Sequence, residues 1–182
     1  GAFRWLRDLL AETEATSFSR LIAEAERVPP GAEGVRFLPY LAGSGAPYWQ
    51  SEATAAFTGM TLRTGRGHLT RALLEGVACD IRANVDCMRQ LGCAMERLRL
   101  FGGGARSDLW PQIIAAICGV PTDGCAEAEA ATRGAAMLAA RAVGADPRVF
   151  ALDTRPVTVP EGWTEAYEAV LTDYAALRGR LA

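Results

Sequence analysis

Apolar residues recur along the chain with two different spacings, which divide it into predicted helices and short predicted strands. Steps of three and four residues are typical of helices with one buried face. They predict helices at about 2–12, from Ser17 to just before Pro29, at 66–91, 107–118 and 128–143, and from about Thr164 to 181. Short apolar runs bounded by glycine or proline predict strands at 35–38, 55–60 and 98–101, and a short or edge strand at 120–122 that contains Pro121. Strands that alternate with helices indicate an α/β layer architecture.

The longest predicted helix, 66–91, carries polar residues within its apolar repeat. Asp80 and Asn84 lie one helical turn apart, which is typical of a solvated or interface edge, and we assign them no catalytic role. Glu75 is interpreted as a structural anchor near a domain junction. None of these side chains is therefore predicted to take part in chemistry.

Residues 39–54 connect two predicted strands and are interrupted by prolines and glycines. A connection of this length inside a compact domain either has a function or packs over the surface. The segment contains Tyr40, Tyr48 and Trp49. We favour the second explanation and expect the three aromatic side chains to anchor a lid-like loop to the core.

The composition narrows the class of protein. The chain has 182 residues, of which 50% are hydrophobic and 22% are charged, as in an ordinary globular domain with a core. Its net charge of −2 gives no reason to expect a nucleic acid or an anionic membrane as a partner. No apolar run approaches the roughly 20 residues of a membrane span, and no signal peptide is recognised. The chain does not start with methionine, and we expect it to be cut from a longer protein.

The cysteines indicate a reducing compartment. There are five of them, at positions 79, 87, 93, 118 and 125, and they include no C-x-x-C pair. An odd number without such a pair is typical of reduced thiols, and we expect a cytoplasmic protein. His68 is the only histidine, which argues against a metal site built from soft ligands.

The segment 97–110 predicts a strand, a turn of three consecutive glycines and a helix that begins at Ser107. Glycine permits positive φ and lets a ligand approach the main chain, because it has no Cβ. Ser107 is a suitable N-cap, and Asp108 suits the positive end of the helix dipole. Free backbone N–H groups at a helix start can bind a phosphate or the sugar edge of a nucleotide. The alternative is a tight turn with nothing bound, and the spacing leaves both open.

Several well-known motifs are absent. The sequence contains no G-x-x-x-x-G-K-[ST], which excludes a P-loop ATPase, and no G-x-G-x-x-G in a βαβ setting, which disfavours a dinucleotide fold. It has no G-x-S-x-G and no serine with a histidine and a carboxylate at suggestive spacing, which argues against acyl transfer.

Several segments in a fixed order resemble the FGGY family of carbohydrate kinases, over essentially residues 1–144. The second signature of that family is matched by Phe37–Gly43, Ala46–Trp49, Ala55–Met60 and His68–Ala78. The segment Leu98–Trp110 resembles the glycine-rich adenosine loop of the family, and Glu127–Ala140 resembles the alanine-rich helix that follows it. Within the family, the pattern is most similar to xylulokinases.

This resemblance implies an actin-like, RNase H-like ATPase domain, the C-terminal half of a two-domain sugar kinase, incomplete at its N-terminus. It would include a helical excursion and loop at about 13–54 and a tail helix at about 164–181. Such enzymes transfer the γ-phosphoryl group of ATP–Mg²⁺ to a sugar hydroxyl. In the family, the sugar-binding domain and the catalytic aspartate lie upstream of the position of Gly1. We therefore expect no catalytic residue in this chain, Mg²⁺ ligands mainly outside it, and no activity of the chain alone.

The resemblance also implies a set of nucleotide-binding residues, which are Gly102, Gly103, Gly104, Ser107, Gly1 and Arg4. Gly103, Gly104 and Ser107 would line the adenosine pocket, and Gly102 would help to set the turn. The other two residues fall near the helix that supports the nucleotide from the opposite side.

The substrate stays open between several sugars. Xylulose or a related pentulose is the first expectation, but Ser44-Gly45 stands where many xylulokinases have Glu-Arg, and glycerol kinases also have a glycine there. Glycerol and gluconate are therefore alternatives.

The sequence also leaves open two other functions: a non-catalytic actin-like module that binds nucleotide, and an α/β domain that binds nothing. Assembly as a homodimer is left open as well.

Overall fold

The computed structural model describes residues 1–10, 17–125, 129–151 and 153–181. Its helices are α1 (Ala2–Leu10), α2 (Phe18–Glu26), α3 (Arg66–Gln90), α4 (Leu109–Cys118), α5 (Ala130–Ala142) and α6 (Trp163–Leu181). Its strands are β1 (Arg36–Leu38), β2 (Ala56–Thr58), β3 (Leu98–Phe101), β4 (Thr122–Cys125) and β5 (Arg155–Pro156), and short 3₁₀ turns occupy Ala32–Gly34, Gly103–Arg106 and Pro147–Phe150. The predicted residues 11–12 of the first helix, position 128 of the fifth and Glu127 lie outside the described residues.

Helix α3 is the central element of the core. It packs against α1, α2, α4, α6 and β1. Of its predicted apolar repeat, Leu73 and Val85 are buried, whereas Met88 near the C-terminal end is exposed. Gly76 allows α3 to lie directly on β1, because a Cβ at this position would stand 2.0 Å from the carbonyl oxygen of Phe37. The position of α3 thus determines the positions of its neighbours.

The strands form two small sheets. β1 pairs with β2 in antiparallel fashion, and β3, β4 and β5 form a second sheet in that order, with β4 parallel to β3 and antiparallel to β5. The strand predicted at 120–122 is short, as predicted, but it is Thr122–Cys125; it lies between two others, so the edge alternative is wrong. Pro121 lies just before the strand, so its missing N–H removes no hydrogen bond from the strand itself. Its carbonyl accepts a hydrogen bond of 2.9 Å from the Leu98 N–H.

The turn after β3 differs from the predicted helix start. Gly103–Arg106 form a 3₁₀ turn closed by a hydrogen bond of 3.0 Å from Ala105 N–H to the Gly102 carbonyl, and α4 begins only at Leu109. Ser107 is extended, with φ −99° and ψ 152°, and is not an N-cap. The N-cap position falls to Asp108, whose side chain makes no capping hydrogen bond. The glycine turn is thus a separate 3₁₀ turn, and α4 lacks the first two residues of the predicted helix.

Other local predictions are confirmed. Ser17 caps α2, since its Oγ accepts a hydrogen bond of 3.2 Å from the Arg20 N–H. Gly92 follows α3 in the left-handed region, with φ +82°. No helix within the described residues is long and apolar enough to cross a membrane.

A buried polar cluster fastens α6 to α3. The Arg71 side chain is 1% exposed and donates from Nε to Oε1 of Glu75 at 2.9 Å. Its guanidinium also lies 4.5 Å from the ring centre of Trp163 on α6. The structural role predicted for Glu75 is confirmed, because its carboxylate is fully buried among these partners.

The loop 39–54 is anchored by two of its three aromatic residues. Tyr40 is buried, and the ring of Tyr48 lies 3.8 Å from the guanidinium of Arg178 on α6. Trp49 is 79% exposed, so the prediction that it anchors the loop is wrong. Trp49 lies in the turn between Ser44 and Gln50, whose backbone groups pair with each other.

Candidate nucleotide-binding site

A cavity of about 890 Å³ separates α1 and α2 from the glycine turn. Five of the six predicted site residues line it, namely Gly1, Arg4, Gly103, Gly104 and Ser107. Gly102 does not line the cavity; it precedes the 3₁₀ turn and has φ +86°, a conformation that favours glycine. The structure thus brings together residues from the two ends of a stretch of more than one hundred residues.

The walls of the cavity are apolar and come from four helices. Phe3 of α1 and Phe18 of α2 meet edge to face, with ring centroids 5.0 Å apart. Leu73 and Val77 of α3 form the floor, and Trp110 of α4 closes the side next to the glycine turn. Apolar walls of this kind are suited to a flat aromatic ligand such as a nucleobase.

Sequence analysis missed these wall residues. Leu73 and Val77 belong to the same apolar repeat as the core residues of α3, and Phe3 belongs to the predicted inner face of α1. Nothing in a helical repeat distinguishes a side chain that meets a neighbouring helix from one that faces a cavity. Trp110 carried the only local signal, because it ends the segment that contains the glycine turn.

Polar groups lie around the rim. Arg4 and Arg106 are exposed and bring two guanidinium groups to the lining, together with the half-buried Ser107. Glu26 of α2 adds one exposed carboxylate on the opposite side. Guanidinium groups and hydroxyls are the donors that phosphate and ribose oxygens accept from. The arrangement can therefore hold a ligand with an aromatic part inside and a polar part at the opening.

A second cavity, of about 730 Å³, lies on the other side of the same turn. Arg106 and Ser107 line both cavities, whereas Gly1, Arg4 and Gly103 line only the first. The remaining lining of the second cavity includes Gly124 and Cys125 of β4 and the strand β5. The glycine turn is thus a thin wall between two spaces, and only one of them gathers the predicted residues.

The predicted interface edge of α3 lies away from the cavity. The side-chain amide of Asn84 donates to the carbonyls of Asp80, at 2.9 Å, and of Ala46 in the loop 39–54, at 3.1 Å. Burial raises the pKa of Asp80, whose Oδ1 is buried and makes no hydrogen bond within the described residues. Asp80 and Asn84 therefore lie at an interface between α3 and the loop, which is one of the two settings predicted for them.

The described residues contain neither a cluster of three or more His, Cys, Asp or Glu side chains placed to hold a metal ion nor a disulfide. Cys79, Cys118 and Cys125 are buried free thiols. Burial raises the pKa of Cys118 to about 12, so this thiol stays protonated at neutral pH.

The known proteins that this chain resembles in sequence are carbohydrate kinases. The family described as the FGGY family of carbohydrate kinases, C-terminal domain, matches residues 1–143. A glycerol kinase of Alkalilimnicola ehrlichii is 39% identical over 142 residues, which cover 78% of this chain and 28% of the relative. A gluconokinase of Bacillus licheniformis is 39% identical over 126 residues, which cover 63% of this chain and 24% of the relative.

The solved structures with a similar fold also include a sugar kinase. A xylulose kinase from Rhodospirillum rubrum superposes with a TM-score of 0.86 at 35% identity, covering 99% of this chain and 37% of that protein. The chain thus spans well under half the length of the relatives it matches. FGGY kinases have the actin-like ATPase fold, which confirms the predicted fold class for this chain. The chain therefore belongs to the FGGY family of carbohydrate kinases, and its residues 1–143 match their C-terminal domain.

Proposed function

We propose that this chain is the nucleotide-binding part of a carbohydrate kinase that transfers the γ-phosphoryl group of ATP to a sugar hydroxyl. The observation that carries the proposal is the cavity between α1 and the glycine turn. It gathers Gly1 and Arg4 with Gly103, Gly104 and Ser107, the residues that the family resemblance assigns to the nucleotide.

In this proposal, the adenine ring lies in the apolar part of the cavity. Phe3, Phe18 and Val77 exclude water from one side of the ring, and the backbone of Gly103 approaches it from the other. Ser107 donates to the ribose, and the guanidinium of Arg4 attracts the charged end of the nucleotide. The contribution of these residues is to bind and orient ATP, which supplies a large part of phosphoryl-transfer catalysis.

The remaining chemistry requires groups outside the described residues. Transfer to a hydroxyl needs a carboxylate that accepts the hydroxyl proton, and no side chain of the cavity is assigned that role. ATP enters as its Mg²⁺ complex, and the proposal places the protein ligands of the ion mainly outside this chain. The isolated chain is accordingly expected to be inactive.

The sugar is proposed to be xylulose or a related pentulose. The extensive superposition on a xylulose kinase supports this choice. The glycerol kinase and gluconokinase relatives favour glycerol and gluconate as the second candidates. Gly45, where many xylulokinases carry a longer side chain, is compatible with the second group.

The proposal extends to the setting of the enzyme. It includes a sugar-binding domain supplied by the rest of the protein, a cytoplasmic location where thiols stay reduced, and a homodimer as the assembly to be tested by light scattering.

The experiment is a phosphorylation assay on the complete kinase that contains this chain. Xylulose, glycerol and gluconate are compared at equal concentration with Mg²⁺ and ATP, by release of ADP. Preference for xylulose supports the proposal, and preference for glycerol or gluconate replaces only the sugar. ATP binding without phosphorylation of any member of a wider panel of pentuloses, polyols and aldonic acids would favour the alternative, a non-catalytic nucleotide-binding module. Absence of nucleotide binding would overturn both.

A further inference from the structure

The three consecutive glycines of the turn have different surroundings. Gly102 has φ +86°, a backbone conformation that by itself explains why glycine occupies this position. An added Cβ at Gly103 would meet no atom within 4 Å. An added Cβ at Gly104 would stand 2.7 Å from Cδ1 and 2.9 Å from Nε1 of Trp110. The structure therefore gives a different reason for glycine at two of the positions, the backbone conformation at Gly102 and the indole of Trp110 at Gly104, and leaves open space at Gly103.

Trp110 lies in the first turn of α4 and is half-buried against the core. The rest of α4 is firmly held, because Ile113, Ile114 and Ile117 are fully buried. The indole is thus attached to a rigid element, whereas the 3₁₀ turn that lies on it has mostly exposed residues. When a rigid group touches a less constrained one, the rigid group determines the position of the contact.

We propose that Trp110 is a positioning residue for the nucleotide. Its indole edge sets how far the turn 103–106 stands from α4, and so how far the turn projects into the cavity. Gly104 is glycine because it lies against this indole, while Gly103 is the glycine that leaves room for the ligand. This inference rests on the proposed function, since it assigns the cavity to ATP.

A double-mutant cycle on the complete kinase tests the inference. With Trp110 present, Gly104→Ala forces the turn away from the indole, and we expect the KM for ATP to rise about tenfold while the KM for the sugar stays within about twofold. With Trp110→Leu, the space beneath Gly104 opens, and the same substitution should change the KM for ATP by less than about twofold. Gly103→Ala is the matched control, because it should have the same effect with either residue at position 110.

Two single variants distinguish positioning from general support. Trp110→Leu alone should raise the KM for ATP about threefold with little change in the KM for the sugar, and Trp110→Phe should restore most of the loss, because a phenyl edge can still support the turn. Equal effects of Gly104→Ala in both backgrounds would overturn the inference, since the ligand and not the indole would then require glycine.

If a variant folds poorly, its melting temperature still tests the inference. Gly104→Ala should lower the melting temperature, and adding Trp110→Leu should recover it; a loss that is not recovered also overturns the inference. If the unmodified kinase uses no nucleotide, the proposed function is overturned. The melting temperatures then still decide whether Trp110 determines the position of the turn.

Discussion

The hydroxyl of Tyr167 donates a hydrogen bond of 3.0 Å to Oε1 of Glu75, although the two residues lie 92 positions apart. The same hydroxyl accepts a hydrogen bond of 2.6 Å from the guanidinium of Arg71. Tyr167 belongs to α6, beyond the family match at 1–143, and Glu75 lies on the helix that forms the cavity floor. The tail helix is thus tied to the element that supports the candidate site.

Loss of this hydroxyl should destabilise the protein. Tyr167→Phe leaves a buried carboxylate and a buried guanidinium each without one partner, and we expect the free energy of unfolding to fall by about 1–3 kcal/mol. The urea midpoint measures the change. The matched control is Thr70→Val, because the hydroxyl of Thr70 is also fully buried but has no hydrogen-bond partner within the described residues. Its removal should be neutral or slightly stabilising, and a large loss there would contradict the hydrogen-bond explanation.

The close approach of α3 to β1 should tolerate no side chain. Gly76→Ala places a Cβ 2.0 Å from a backbone oxygen of Phe37, and neither element can shift easily, so we expect a cost of about 3 kcal/mol or more in unfolding free energy. The control is Gly134→Ala in α5, where an added Cβ meets nothing within 4 Å. That variant should be more stable than the parent by about 0.5–1 kcal/mol, because alanine is the better helix former. Equal melting temperatures for the two variants would contradict the packing argument.

The thiols should differ in reactivity according to burial. Cys93 is exposed and should be alkylated first by iodoacetamide at pH 8, whereas Cys118 should react only on unfolding. Peptide mass spectrometry at successive times measures the order. Early modification of Cys118 in the folded protein would contradict its burial.

Burial of Cys118 also predicts the direction of a pH dependence. The unfolded thiol loses its proton from about pH 8.5, whereas the folded thiol has a pKa of about 12. The folded state therefore binds more protons between these values, so stability should fall as the pH rises through that window. Burial raises the pKa of Tyr167 as well, which acts in the same direction at higher pH. Urea midpoints at pH 7 and pH 10 measure the effect, and a higher midpoint at pH 10 would contradict it.

A side chain at Gly103 should affect ATP more than the sugar. Gly103→Val fills space that is open in the structure, and by the proposed function we expect the KM for ATP to rise at least about tenfold, with the KM for the sugar nearly unchanged. The control is Asp80→Asn, on the side of α3 that faces the loop 39–54, which should leave turnover within a few fold. Equal changes in both KM values for Gly103→Val would show that the residue is wrongly assigned to the nucleotide.

The sequence by itself determined the features that depend on neighbours along the chain. The apolar steps of α3, the cap at Ser17 and the turn at Gly92 are local, because side-chain spacing and backbone preference act within a few residues. The ordered motifs between residues 1 and 143 likewise identified the family and its fold. The assignment of Gly1 and Arg4 to the same site as Gly103 came from that resemblance, and the cavity that joins them is a property of the tertiary structure.

Tertiary structure decided what depends on distant partners. Ser107 lies outside α4 because it is extended between the 3₁₀ turn and the helix, and Thr122–Cys125 is a central strand because β5, for which the sequence predicted no strand, pairs with its second edge. The cavity walls from Phe3, Phe18 and Val77 are assembled from helices that no local preference brings together. Packing and strand pairing are determined by the whole fold, so only the tertiary structure could distinguish a core residue from one that faces a ligand.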